Sequence, residues 1–220
     1  MAARNFVIFN LLALLAMGTQ VIRTSTAAPK PAFVPPEGTW QLDLELHGPP
    51  QKITVALPGN PEPKRFWYLL YTISNHTGRD VEFFPKIDLI TDTLLLHHAG
   101  EHVRQPVFEA VRKRYAKTIP FLEPEEKVAG LILQTRDNAR DTVAIFEDFD
   151  PNATEANIFI SGLSNETIAL ELPFVENKTA PTKKKVLLQK SLMLKYSISG
   201  DRYHPEDRIM LYKERDWIMR

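Results

Sequence analysis

The stretch RFWYLLYTISNHTGRDVEFFPKIDLIT, residues 65–91, carries the clearest strand pattern in this chain. Side chains of an extended strand point to opposite sides with period two. In the first half of the stretch, one face therefore carries Trp67, Leu69, Tyr71 and Ile73. After the turn-forming residues 75–78, the alternation continues with Val81, Phe83, Ile87 and Leu89. The pattern predicts a β-hairpin across this turn, with Trp67 on its buried face.

Short apolar runs separated by turn-forming residues continue on both sides of this stretch. Further strands are expected at 40–46, 53–57, 93–98, 128–134, 142–147, 157–163, 167–174, 188–198 and 209–212. Between Pro106 and Lys117 the apolar residues recur at every fourth position, which predicts one short amphipathic helix. About ten strands and a single helix predict an all-β fold, an immunoglobulin-like antiparallel β-sandwich with one short inserted helix.

The first residues have the composition of an export signal. Arg4 precedes an apolar run from Phe6 to Gly18, and small residues follow at 25–27. We expect a signal peptide at 1–28, a Pro-rich lead-in at 29–38 and a single β-sandwich domain at 39–220. The alternative is an uncleaved anchor, but the apolar run is shorter than the roughly 20 residues that span a bilayer. The chain would then meet a membrane only through this segment.

Charge and cysteine content exclude several classes of function. The chain of 220 residues has 27 basic and 27 acidic residues, so nothing in its charge favours binding to nucleic acid. It has no cysteine, which removes disulfides, thiol catalysis and thiolate metal sites. An exported domain without cysteine is more typical of bacteria, so we expect a periplasmic or extracellular location.

Four segments resemble a family of uncharacterised exported bacterial proteins. They are FWYLLYTISNHTGRDVEFFP at 66–85, LQTRDNARDTVAIFEDFD at 133–150, IFISGLSNE at 158–166 and DWIMR at 216–220. The resemblance implies an immunoglobulin-like sandwich outside the cytoplasm. It implies no activity and no functional residue.

Two groups of residues could be taken for metal sites. Asp148, Asp150 and Asn152 have the spacing that opens a calcium loop, but Ala153 stands where a glycine permits the sharp turn, and the closing glutamate is replaced by Phe159. A polar hairpin loop explains the same residues. The sequence therefore predicts no calcium site here.

The second group is His97, His98, Glu101 and His102. Neighbouring residues of a strand point to opposite faces, and Ala99-Gly100 favours a turn over the helix that would align His98 with His102. We therefore expect no metal and no cofactor. The chain also lacks the sequence motifs of nucleophilic hydrolases and of zinc proteases, so we expect no enzyme.

Aromatic residues concentrate in residues 66–84, where rings could either fill the core or stack on sugars. Trp67 shares the face assigned to the core, whereas Tyr68 and Phe84 lie on the opposite face and are possible ligand contacts. We expect an exported, non-enzymatic module that binds an unknown protein or cell-envelope component. The alternatives are a carbohydrate-binding module and, third, an enzyme of unrecognised type.

Overall fold

The computed structural model describes residues 38–171 and 185–220. The predicted signal peptide and all but the last residue of the predicted lead-in lie outside the described residues. In chain order the strands are β1 (Asp43–Leu46), β2 (Gln51–Val55), β3 (Lys64–Ser74), β4 (Val81–Phe83), β5 (Lys86–Thr91), β6 (Leu96–His98), β7 (Glu123–Pro124), β8 (Gly130–Ile132), β9 (Arg140–Glu147), β10 (Glu155–Ser161), β11 (Thr167–Glu171), β12 (Lys185–Ser199) and β13 (Ile209–Met219). The helices are α1 (Gln105–Tyr115) and α2 (Glu125–Val128), with a 3-10 turn at Arg136–Asn138.

Two sheets carry most of these strands. In sheet 1 the order is β1-β3-β9-β7, and β2 pairs with the part of β3 that β1 leaves uncovered. In sheet 2 the order is β11-β12-β10-β5-β6, with β13 on the other side of β12. The pairing is antiparallel except between β7 and β9, and β4 and β8 form a small separate ladder. The predicted all-β sandwich with an inserted helix is confirmed.

The core of the sandwich contains both apolar runs of residues 65–91. Its buried side chains include Trp67, Leu69, Tyr71 and Ile73 from β3 together with Val81, Phe83, Ile87 and Leu89 from β4 and β5. The predicted inward face of each run is therefore confirmed. Their pairing as a hairpin is wrong.

The two runs belong to different ladders. Strand β3 pairs with β9, with Trp67 opposite Phe146, whereas β5 pairs with β10, with Leu89 opposite Ile158. Residues 75–80 carry the chain away from sheet 1 as a corner, because the buried Asn75 amide donates to the carbonyl oxygens of Arg79 and Ile132 at 2.8 Å each. Separate sheets let the two apolar runs cover each other, which a hairpin within one sheet would not do.

The helix predicted at Pro106–Lys117 is confirmed as α1, with a proline in its first turn. It buries Val107 and Val111 against the outer face of sheet 1, where they join a second core with Phe66, Tyr68 and Leu70. Helix α2 was not predicted. It replaces the beginning of the strand expected at 128–134 and leaves only the short β8.

Candidate functional site

A groove of about 770 Å³ lies where α1 stops covering the outer face of sheet 1. Val143 and Ile145 of β9 form part of its floor, and both belong to the second core. The amide of Gly100 donates to the carbonyl oxygen of Ile145 at 2.9 Å, which fixes the loop before α1 against the same strand. The groove is thus bounded by α1, by residues 99–104 and by residues 120–129.

Helix α1 supplies one wall. Val107 and Val111 point into the second core. The residue that follows each of them, Phe108 and Arg112 respectively, therefore lies on the side of α1 that faces the groove. The guanidinium of Arg112 lies 5.9 Å from the centre of the Phe108 ring and pairs with Glu109, three residues earlier. This wall therefore combines an aromatic ring with a cation whose charge is already balanced.

The facing wall is formed by residues 119–124, IPFLEP. Ile119 and Leu122 are buried in the second core, and the amide of Leu122 donates to the carbonyl oxygen of Ile119. This turn directs the intervening Phe121 outward, where 81% of its surface is exposed. Phe121 thus places an exposed aromatic ring at the rim of a groove with an apolar floor.

The same boundary continues with three glutamates, at 123, 125 and 126, followed by Lys127. Glu123 pairs with Arg140, whose Nε donates to the carboxylate at 2.7 Å. Glu125 is half-buried and Glu126 is exposed, and both line the groove. Burial, with a smaller contribution from the charge of Glu126, raises the pKa of Glu125 from 4.5 to about 8. At neutral pH the Glu125 carboxyl is therefore mostly protonated.

The sequence alone did not predict this groove. Its floor residues are ordinary strand residues, and the walls come from separate parts of the chain. The one local signal was the segment IPFLEPEEK at 119–127, where a phenylalanine stands between two prolines and a pair of glutamates follows.

The two aromatic residues predicted as possible ligand contacts, Tyr68 and Phe84, have different environments in the structure. Tyr68 is only 1% exposed, because α1 covers the face on which it lies. Its hydroxyl lies 3.2 Å from the Gln51 side chain and 3.2 Å from the Tyr115 hydroxyl, and it accepts a hydrogen bond from Arg114. Tyr68 is therefore a buried packing residue and is not available to a ligand, which corrects the prediction of an open face.

Phe84 is 64% exposed at the corner between β4 and β5. The backbone there lies against Gly162, where an added Cβ would come within 2.5 Å of the Phe84 carbonyl oxygen. Gly162 also has a φ of +92°, so the close approach requires a glycine. Phe84 itself does not line the groove, although the next residue, Pro85, does, and its role as a ligand contact stays a prediction.

The histidines predicted not to form a metal site surround a smaller cavity of about 270 Å³. The Nδ1 atom of His98 lies 2.7 Å from the Asp88 carboxylate, and that of His102 lies 3.4 Å from Glu147. Burial lowers the pKa of His97, so its ring is neutral at pH 7. Among residues 38–171 and 185–220, no group of three or more ligating side chains is arranged to hold a metal ion.

The loop that follows β9 has structural hydrogen bonds. Asp148 accepts from the indole nitrogen of Trp67 at 2.8 Å and from the guanidinium of Arg65 at 2.7 Å. Asp150 accepts from the backbone and side-chain amides of Asn152. Asp148 therefore ties the end of β9 to β3, and Asp150 holds a local turn.

Comparison with protein-family models, with curated proteins and with solved structures finds no match to this chain. The family resemblance noted from the sequence therefore stays a prediction. The part of the chain that the structure describes contains no helix long and apolar enough to cross a membrane.

Proposed function

We propose that this chain is an exported, non-enzymatic β-sandwich module that binds a protein partner in the groove between α1 and residues 120–129. The observation that carries the proposal is the groove itself, which has an apolar floor and the exposed ring of Phe121 at its rim. Its volume of about 770 Å³ is that of a small-molecule pocket, which is enough room for a few side chains of a partner. Covering Phe121 and the floor would remove apolar surface from water, which favours association.

Binding is favoured over catalysis by the chemistry of the groove lining. The described residues that line it include no serine, threonine, histidine or tyrosine. Catalysis by a hydroxyl or imidazole nucleophile therefore has no candidate in this lining. Two of the four glutamates in the lining, Glu109 and Glu123, already pair with arginines.

The carbohydrate-binding alternative has weaker support. A sugar site on a sandwich would present several aromatic rings together on one exposed surface. Within the described parts of the chain, the most exposed aromatic residues lie on separate elements, namely Phe84, Phe121, Tyr203 and Tyr212. Only Phe121 lies in a groove.

The export part of the proposal rests on the sequence of residues 1–28 and on the absence of cysteine. The second core, which α1 completes, adds buried apolar surface to a domain that cannot form disulfides. We therefore propose a periplasmic or extracellular location, with a partner in the cell envelope.

The test is a capture experiment with three versions of the mature domain as bait. Phe121→Ser removes the exposed ring of the groove, and Tyr203→Ser removes an equally exposed ring, 73% accessible, outside it. We expect proteins of the native envelope to be retained by the parent and by Tyr203→Ser but lost from Phe121→Ser. Identical capture by all three, with unchanged thermal unfolding, would contradict the proposed site.

A further inference from the structure

The small ladder of β4 and β8 has an apolar outer face. Along both strands, residues of the core alternate with residues that point outward. The outward residues include Phe84, Leu131 and Leu133, which are all exposed among the described residues and together form what we call the ladder face. Leu131 lies opposite Glu82, so Phe84 is its diagonal neighbour across the ladder. Covering the ladder face would remove three apolar side chains from water.

The chain enters the domain beside this face. Gly38 is the first described residue, and its carbonyl oxygen accepts a hydrogen bond from the guanidinium of Arg79. The next residue, Asp80, accepts a hydrogen bond at 2.9 Å from the amide of Gln134, which directly follows Leu133. Gly38 is therefore held at the corner where the ladder face begins.

The segment before Gly38 has a composition and a length that suit the ladder face. Residues 29–37, PKPAFVPPE, carry Phe33 and Val34 between pairs of prolines. Prolines restrict the unbound segment to few conformations, which lowers the entropy cost of docking. The five residues from Gly38 back to Phe33 span roughly 16 Å when extended, and the five residues from Arg79 to Phe84 span roughly the same length of strand.

We propose that residues 29–37 of this same chain lie along the ladder face and cover it, with Phe33 and Val34 against its three apolar side chains. Gly38 has a φ of +101°, which allows the chain to turn there toward the ladder. The ladder face adjoins the groove at Pro85 and Ala129, but none of its own three residues lines the groove. The inference therefore does not rest on the proposed function.

The size of the ladder face favours a tethered segment over a separate protein. A stable protein–protein interface buries about 1,200–2,000 Å² in total, far more than three side chains supply. A short tether holds its segment at an effective concentration in roughly the millimolar range, so much weaker contacts are enough. Phe84 would then contact the protein's own chain rather than a ligand.

Because the chain has no cysteine, disulfide formation tests this placement in the mature chain, residues 29–220. Ala32→Cys is combined with Glu82→Cys, which lies on the ladder face and leaves its apolar side chains intact. The matched control combines Ala32→Cys with Thr167→Cys, an exposed position two residues from Asn165, whose side chain also donates to the carbonyl oxygen of Gly38. A segment that is not docked would reach both cysteines with similar ease.

In glutathione buffers, we expect the effective concentration of the 32/82 pair to exceed that of the 32/167 pair at least about tenfold. Adding Phe33→Ser/Val34→Ser should lower the 32/82 value to that of the control, and so should Leu131→Ser/Leu133→Ser on the other side of the contact. The substituted positions of the ladder are exposed, so the fold should be retained, and thermal unfolding of the reduced proteins checks this.

Hydrogen exchange gives a second measurement without cysteines. Phe33→Ser/Val34→Ser should speed the exchange of amides in residues 80–84 and 130–134 and leave β10 unchanged. Lys30→Ser, a substitution in the same segment that removes no apolar contact, should change neither.

Equal effective concentrations for the 32/82 and 32/167 pairs would overturn the inference, and so would a 32/82 value that Phe33→Ser/Val34→Ser leaves unchanged. Equal values together with loss of a captured envelope protein from Leu131→Ser/Leu133→Ser would assign the ladder face to an external partner instead. None of these results decides the proposed function, because the capture experiment with Phe121→Ser tests a different surface.

Discussion

The two faces of β3 are both buried, but they are covered in different ways. Its inner face, with Trp67, Leu69 and Tyr71, meets the second sheet and forms the larger core. Its outer face, with Tyr68 and Leu70, meets a single helix and a short loop, and forms a smaller one. A sheet covers a sheet along its whole length, whereas one helix covers only a strip about 10 Å wide.

The difference in cover explains where the groove lies. On the outer face, the strip beneath α1 is closed by packing and by a set of hydrogen bonds between Tyr68, Gln51, Tyr115 and Arg114. Beyond that strip, toward β9, the floor is only partly covered, by residues 120–129. The second sheet covers the inner face completely, whereas the helix leaves part of the outer face uncovered, and it is there that we propose the partner binds.

The largest expected effect is on the inner face. Trp67 is 1% exposed, stacks on Phe149 at 5.4 Å and donates to Asp148, so Trp67→Ala removes packing and a hydrogen bond together. We expect a loss of about 3–5 kcal/mol in the free energy of unfolding, measured by urea denaturation. A variant as stable as the parent would mean that the two sheets do not meet over this ring.

On the outer face, Tyr68→Ala should cost about 3 kcal/mol, because the ring is as buried as Trp67 and its hydroxyl partners would lose their bonds. Urea denaturation of both variants under the same conditions gives the comparison directly. If Tyr68→Ala cost less than about 0.5 kcal/mol, typical of an exposed position, α1 would not cover this face.

At the end of the groove, the pH dependence of stability should change in Glu125→Gln. The folded state raises the pKa of Glu125 from 4.5 to about 8, so the folded protein binds this proton more tightly than the unfolded chain does. The free energy of unfolding therefore falls as pH rises from about 4.5 to about 8 and levels off above that range.

The size of this contribution is about 2 kcal/mol, less than the full shift would give, because Glu125 is only partly shielded from water. Thermal unfolding between pH 5 and pH 9 should show a loss in the parent that Glu125→Gln lacks. Parallel curves for the two proteins would show that the Glu125 carboxyl is solvated. Glu45→Gln, at an exposed position of β1, is the matched control.

The smallest effect is expected from Tyr115→Phe, which removes one hydroxyl from the boundary between α1 and sheet 1. That hydroxyl donates to Gln51 at 2.9 Å and lies 3.2 Å from the Tyr68 hydroxyl. We expect a loss of about 1 kcal/mol by urea denaturation, since the ring stays in place. A neutral result would indicate that water replaces the bond.

Local pattern was enough to predict which way each strand faces. Successive side chains of a strand point to opposite faces, so Trp67 and Leu89 stay on the same face whichever strand they pair with. The helix at α1 was equally readable, because Val107 and Val111 recur at helical spacing. These features depend only on neighbours along the chain.

Which strands pair, and what covers each face of a sheet, depends on residues far apart in the sequence. The four residues after Ser74 fit a hairpin turn, but Asn75 is held by Ile132, which lies 57 positions later. Tyr68 could not be told from an exposed aromatic, because the helix that covers it begins at Gln105. The groove could not be predicted for the same reason, because its walls and floor come from separate parts of the chain that meet only in the folded protein.

The central claim is that a protein partner occupies the groove beside Phe121, and photo-crosslinking in intact cells tests it most directly. Benzoylphenylalanine would be placed in separate variants at Phe121, at Phe84 and at Tyr203, three exposed aromatic positions of which only the first lines the groove. We expect ultraviolet light to yield a protein adduct from the variant at position 121 and none from the other two. Adducts from position 84 or 203, with none from 121, would contradict the account.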